Sequence, residues 1–458
     1  MIETTNPATG ERIDSYETPG EGEIERAVES AREAFEDWRD RPLRERERLL
    51  AAAADVLRAD RDRFARTVTE EMGKPLDQAR SEVEKCAWVC EHYAEHAGSY
   101  LADDAHPSPP GTDVRTVHEP LGPVLAVMPW NFPLWQVFRF AAPYLTAGNV
   151  GLLKHAPSVP GCARVAVEVF ERAGYPEGVF RDLTVEAERA PDLVADLLAD
   201  DRVRAATLTG SGPAGRSLAS EAGENLKKTV LELGGSDPFV VLDDADLDAA
   251  LEAGTTARTL NSGQSCIAAK RFLVHDAVYD EFRDGLVERF EDLTVGDPFD
   301  PETDVGPLAG DEHLERLADQ VERTLDAGAR APVDGETPDR DGAFYPPTVL
   351  VDVPADCPAT DEELFGPVAA LFRVENEREA VERANATDYG LGASVWTEDR
   401  ERGRRVAGAV EAGCTCVNQL TKSDPRVPFG GVKGSGYGRE LGGPGVREFV
   451  NRKTVWVE

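Results

Sequence analysis

Asn261-Ser262-Gly263-Gln264-Ser265-Cys266-Ile267-Ala268-Ala269-Lys270-Arg271 is the stretch on which the reading of this chain turns. One cysteine follows a glycine-containing turn, between a helix-like run at 245–260 and a strand-like run at 271–275. A junction of that kind offers backbone N–H groups to a sulfur at the mouth of a cleft. They favour the thiolate and hold the oxyanion formed after attack, so Cys266 reads as a nucleophile. The plain alternative is a buried apolar cysteine, and the neighbouring stretches decide between the two.

Before it, strand-like and helix-like runs alternate: 149–153, 162–173, 179–185, 190–198 and 205–208. Such alternation predicts a parallel, doubly wound sheet. It closes in Thr209-Gly210-Ser211-Gly212-Pro213-Ala214-Gly215, with a helical run at 216–226 behind it. Gly210, Gly212 and Gly215 satisfy the G-x-G-x-x-G spacing between a strand and a helix, where backbone N–H groups can meet a pyrophosphate. That fingerprint asks for an acidic residue about 20 positions on, to hold a ribose. Glu232 stands near that distance, but it ends a strand just before Gly234-Gly235 and is expected to face the cleft instead.

Another buried strand runs into Pro129-Trp130-Asn131-Phe132-Pro133. Ligands bind beyond the carboxyl ends of strands in open α/β sheets, so the Asn131 amide is placed to donate to an oxyanion. An Asx turn is its other reading. A second α/β unit is expected over 236–427, with helices at 246–260 and 276–293, a strand at 393–397, and the segment Asp361-Glu-Glu-Leu-Phe-Gly-Pro367. Residues 22–97 have helical periodicity, and 101–118 reads as a hairpin. The strand-like tail at 448–457 lacks an obvious partner in its own unit, which invites pairing across a subunit boundary.

Within the helical layer, His92-Tyr-Ala-Glu-His96 has the H-x-x-E-H spacing of zinc peptidases. An amphipathic helix with polar residues at i and i+4 is the competing account.

The 458 residues, 41% apolar, suffice for two or three cores. The net charge of −36 is spread along the chain, with nine lysines against 41 arginines. An evenly negative surface suits a concentrated salt interior, where screening removes self-repulsion, so a halophilic protein is expected. It leaves nothing to neutralise phosphates, which excludes nucleic acid as a partner. Seven irregularly spaced cysteines without a Cys-x-x-Cys pair point to a reducing compartment. The start lacks a signal-like pattern and no apolar run reaches membrane length, so a cytoplasmic protein without a membrane partner is expected.

Taken together, Pro129-Trp-Asn-Phe-Pro133, Gly210 to Gly215, Leu231-Glu-Leu-Gly-Gly235, Gly263-Gln-Ser-Cys266 and Glu363-Leu-Phe-Gly-Pro367 stand in the order found in the aldehyde dehydrogenase superfamily. The chain resembles that family over essentially its whole length. Leu153-Lys-His-Ala-Pro157 and Val230-Leu-Glu-Leu-Gly-Gly-Ser-Asp-Pro238 look most like its NAD(P)-dependent succinate-semialdehyde dehydrogenases. The resemblance implies an α/β fold: a Rossmann-like cofactor domain (1–101 and 120–235), an α/β catalytic domain (236–427) and a small β oligomerisation arm (102–119 and 428–458). It implies oxidation of a small aldehyde by NADP or NAD in a homodimer or homotetramer.

Roles carried over by the resemblance make Cys266 the nucleophile, Asn131 an oxyanion donor and Glu232 the base that activates water. Trp130, Lys154, Pro157, Gly210, Ser211, Gly215, Leu233, Glu363 and Phe365 match cofactor positions. Arg139 matches an arginine that holds a substrate carboxylate in some relatives, and a helix-surface or interdomain ion pair is its other reading. Pro157 replaces a glutamate that binds ribose hydroxyls in NAD-preferring members, which implies that NADP is accepted. Ala268 rules out a disulfide between Cys266 and a cysteine two positions on. Leu260 stands where a second substrate arginine is found in some relatives, leaving Arg258 and Arg426 as substitutes. Alternatives to this reading are another semialdehyde or a neutral aldehyde, a CoA-acylating enzyme, which needs no base such as Glu232, and a catalytically silent binding protein.

Overall fold

Val150–Lys154 and Ala205–Thr209 are buried along their whole length, and Pro123–Val127 nearly so, as parallel strands covered on both faces are. In the computed structural model, which describes residues 1–333 and 341–458, they form the middle of a six-stranded sheet. The order is Gly436–Tyr437, Lys228–Glu232, Ala205–Thr209, Pro123–Val127, Val150–Lys154, Phe180–Asp182. Only Gly436–Tyr437 runs antiparallel to its neighbour. From Pro123–Val127 the chain moves first to one side and later returns to the other. The crevice beyond the carboxyl ends of Pro123–Val127 and Ala205–Thr209 is therefore the topological switch point, and it brings Trp130 and Asn131 beside Gly210 and Ser211.

The 22–97 layer is four helices, Glu21–Asp40, Leu43–Ala59, Arg61–Met72 and Leu76–Tyr100. Pro42 and Pro75 precede two of them, where a missing N–H costs nothing. The helix expected from 216 starts earlier, as Gly212–Glu224, because the Ser211 hydroxyl caps it by accepting from the Ala214 N–H. The glycine-rich run is thus itself a helix N-terminus.

The second unit is a seven-stranded sheet: Arg330–Val333, Thr348–Val351, Val368–Val374, Ala269–His275, Asp237–Val241, Gly392–Trp396, Cys414–Val417. Only its first pair is antiparallel. The expected α/β architecture is present in both units.

Asp104–Ala105, Asp113–Pro120 and Val450–Val457 make a third, antiparallel sheet. The tail strand has a partner after all: it pairs with Asp113–Pro120 from Val450 opposite Pro120 to Val457 opposite Asp113. Sequence proximity hid a partner more than three hundred positions upstream. Among the described residues the other edge of Val450–Val457 is open, and Trp456 there is 65% exposed. Gly436–Tyr437 joins the six-stranded sheet, so 428–458 is not a single unit.

Candidate functional site

Leu247–Thr259 is capped by the Asp246 carboxylate and ends at a turn that no ordinary helix could continue. Asn261, Ser262 and Gly263 are all left-handed, with φ of 56°, 54° and 74°. A Cβ on Gly263 would lie 2.3 Å from the Gly366 carbonyl, so only glycine fits. Side chains drawn from distant parts of the chain hold this turn. The Gln78 Oε1 accepts from the Asn261 N–H at 2.7 Å, and Ser262 Oγ donates to the Gly306 carbonyl at 2.9 Å. Arg258, fully buried, donates to the carbonyls of Gly263, Leu364 and Gly366.

Cys266 opens on a cavity of about 480 Å³ between the two sheets' ends. Burial pushes its thiol up to about 12, opposed first by Lys270 and then by Arg139. The resting sulfur is therefore protonated at neutral pH. Asn131 lines the same cavity, and its Nδ2 donates to the Gln264 carbonyl at 3.1 Å. An amide carries two N–H groups, so one remains for an oxyanion beside Cys266. The Asn131 carbonyl in turn accepts from Asn261 Nδ2 at 2.6 Å, which locks the two loops together.

Of the residues expected to touch a cofactor, Trp130, Gly210, Ser211, Leu233, Glu363 and Phe365 line this cavity. The rings of Trp130 and Phe365 meet edge to face at 5.7 Å. Gly210 and Ser211 set the N-terminus of a 13-residue helix against the cavity, a natural seat for phosphate. Gly215 does not line it; a Cβ there would meet Leu233 at 2.5 Å, so this glycine lets the helix close on the loop after Glu232. Lys154 and Pro157 also lie off the cavity wall, at the carboxyl edge of the same sheet, with the Lys154 ammonium depressed by burial. A dinucleotide fits this set: a helix start for phosphate, a carboxylate and an aromatic pair. Clefts of about 590 and 490 Å³ elsewhere contain none of these residues.

Glu232 is 2% exposed and is not on the cavity wall. Both of its oxygens are buried without a hydrogen bond, one of them against Gly430. Burial and then the Glu440 charge raise its pKa well above the carboxylate range, while Arg139 and Arg439 oppose the rise. Arg139 bears on Glu232 and Cys266 alike, which puts the carboxyl and the sulfur in one electrostatic neighbourhood.

The expected substrate arginines are engaged elsewhere. Arg139 is 2% exposed, ion-paired with buried Glu440, and donates to Thr209 Oγ1 at 3.2 Å. Arg426 grips Asp424 with both ends of its fork and lies over Trp88, off the cavity. Arg258 spends its donors on the carbonyls of Gly263, Leu364 and Gly366. His96 Nδ1 sits 2.9 Å from the His92 carbonyl and His92 Nε2 3.1 Å from the Tyr100 hydroxyl, with the rings stacked. Among the described residues no cluster of three metal-ligating side chains forms, so the zinc spacing has no third ligand.

Sequence reading missed the residues that aim the loops. Glu82, paired with buried Lys74, accepts from the N–H groups of Leu134 and Trp135 at 2.9 Å each. Lys74 also lies 3.8 Å from the Phe132 ring, so the pair fixes the chain just after Asn131. Their spacing, eight positions apart across Pro75, carried no motif.

The aldehyde dehydrogenase family model matches residues 1–455. A probable NADP(+) succinate-semialdehyde dehydrogenase of Synechocystis sp. is 51% identical over 456 residues, covering 100% of this chain and 99% of that protein. The NADP(+) succinate-semialdehyde dehydrogenase 1 of Mycobacterium tuberculosis is 50% identical over 458 residues, with the same coverage. The crystal structure of succinic semialdehyde dehydrogenase from Streptococcus pyogenes, in complex with NADP+, superposes with a TM-score of 0.97 at 38% identity and covers 100% of both chains.

Proposed function

The chain belongs to the aldehyde dehydrogenase family, and from that premise we propose that it oxidises succinate semialdehyde to succinate with NADP as hydride acceptor. The observation that carries this reading is Cys266 and Asn131 opening on one cavity, with a phosphate-ready helix start and Glu363 along its wall.

Cys266 first gives up its thiol proton to solvent, and the thiolate so formed attacks the aldehyde carbon. The oxygen that gains charge is held by the spare Asn131 N–H and the Cys266 backbone N–H. NADP, when bound, supplies the hydride acceptor, and the carbon left on sulfur is a thioester. Glu232 then takes a proton from water, whose oxygen attacks the thioester and releases the acid and the thiolate. To do so Glu232 turns toward the cavity from its present position. A carboxyl with no hydrogen bond breaks none in turning.

With Arg139 committed to Glu440, we assign the substrate's carboxylate to Lys85, which stands behind Trp135 and, like Arg426, off the cavity wall itself. Its ammonium meets the Ser423 hydroxyl at 2.8 Å and the Trp135 ring at 4.2 Å, and Arg139 bears on it electrostatically. Assays of succinate semialdehyde and butanal, with NADP and with NAD, test the whole reading. We expect kcat/KM for the anionic aldehyde to lead by about tenfold or more, near 1.4 kcal/mol, and Lys85→Met to erase that lead. A substitution that affects both aldehydes equally would remove the basis for Lys85. Pro157 and the Lys154 ammonium support NADP. An NAD preference above about a hundredfold, near 2.7 kcal/mol, would overturn that choice.

The open edge of Val450–Val457 supports assembly into a homodimer or homotetramer, and seven free thiols support a reducing, cytoplasmic setting. No described helix is long and apolar enough to cross a membrane. The −36 charge supports a halophilic protein. We expect its melting temperature to climb between about 0.1 M and 3 M KCl, a range over which the Debye length falls below about 3 Å. A flat or falling curve in a thermal scan counts against it.

A further inference from the structure

Lys270 lies four residues beyond Cys266, at the start of the central strand Ala269–His275, and is 2% exposed. Its ammonium turns back toward the loop it has just left. It donates to the Ser265 carbonyl at 2.9 Å and to the Cys266 carbonyl at 2.8 Å, and it stands 3.2 Å from Glu363 Oε1. Two carbonyls and a carboxylate satisfy the three N–H groups of an ammonium. The same Glu363 oxygen accepts the Gly235 N–H at 3.0 Å. Glu363 and Cys266 both line the cavity, and they approach it from segments almost a hundred positions apart.

We propose that Lys270 is a positioning residue that joins the nucleophile loop to the cofactor-side carboxylate, so that Cys266 and Glu363 are set as one unit. A lysine placed only to fill the core would need no carboxylate that also faces the cavity. This one is tied to the nucleophile's own carbonyl on one side and to a cavity-lining group on the other. The charges that bear on Cys266 are Lys270 and Arg139, which favour its thiolate, and Glu363 and Asp237, which oppose it. Lys270 leads the favourable pair, and its neutralisation should make the sulfur slower to ionise.

The inference rests on the reading of Cys266 as nucleophile and Glu363 as a cofactor contact. Its test is the rate of Cys266 alkylation by iodoacetamide in cofactor-free protein, followed across pH by peptide mass, together with NADP affinity by fluorescence quenching. In Lys270→Met we expect the alkylation profile to move up by about one pH unit, about tenfold in rate at a fixed pH below the midpoint. NADP should bind about tenfold more weakly, with the KM for aldehyde unchanged. A folded Lys270→Met protein with the wild-type alkylation profile and the wild-type NADP affinity overturns the proposal.

Where Lys270→Met does not fold, Glu363→Gln supplies the second arm. It removes the carboxylate that offsets the ammonium, so alkylation should quicken several-fold at fixed pH, and an unchanged rate overturns the proposal. The underlying reading fails separately, by full turnover surviving complete alkylation of Cys266.

Discussion

Cys266→Ala should abolish aldehyde oxidation while leaving NADP binding and the fold in place. No other described thiol opens on the cavity: Cys86, Cys90, Cys162 and Cys357 are buried, and Cys414 and Cys416 lie on the last strand of the other sheet. Without a covalent acceptor, the aldehyde carbon never becomes the tetrahedral centre from which hydride departs. A fall in kcat on the order of 10⁴-fold or more is expected, as for loss of a nucleophile that works within a unit. Cys266 is only partly buried, and the turn before it is held by Gln78, Arg258 and Ser262, so truncation at Cβ should leave the turn intact. Steady-state turnover and NADP titration on the same preparation check both halves. Retained turnover would remove the nucleophile from the scheme.

Glu232→Gln should separate the two half-reactions. Thioester formation needs Cys266 and Asn131, while its hydrolysis needs a proton acceptor. The variant should release one equivalent of reduced cofactor per active site and then stall, with steady-state turnover down by about 10²–10⁴-fold. The pH dependence follows from the raised carboxyl pKa, which burial causes first and Glu440 second. Below that pKa the group keeps its proton and cannot accept another. Hydrolysis in the unaltered enzyme therefore rises with pH, and the rise should vanish in Glu232→Gln. Stopped-flow absorbance of the reduced cofactor resolves burst from steady state. Unimpaired steady-state turnover would show that some other group activates the water.

Much of the site was legible because its chemistry is written in local motifs. Pro129 to Pro133, Gly210 to Gly215 and Gly263 to Cys266 each combine a turn requirement with a polar or nucleophilic side chain, so spacing raised them as candidates and the family resemblance supplied their roles. The strand alternation placed Asn131 and Gly210 at the carboxyl ends of one sheet, while the approach of Cys266 from the other sheet is seen only in the structure. What could not be read were pairings between distant positions. Arg139 shows no sign in its own neighbourhood that Glu440, three hundred positions away, neutralises it. The residues of the tail strand likewise do not name Asp113–Pro120 as partner; only the family resemblance put the two segments in one arm. Lys270 and Glu82 were passed over because a buried charge is recognisable only through its partner. Helix starts slipped where a side chain capped earlier than the apolar pattern began, as at Ser211.

The left-handed turn at Asn261, Ser262 and Gly263 has a consequence for biosynthesis. Its clamps come from both directions along the chain: Gln78 and Asn131 are made before it, Gly306 and Gly366 well after. On a ribosome, a nascent polypeptide that has just exposed Cys266 lacks half of what shapes that corner. The setting of the sulfur can be completed only once translation has moved about a hundred codons further, to Gly366.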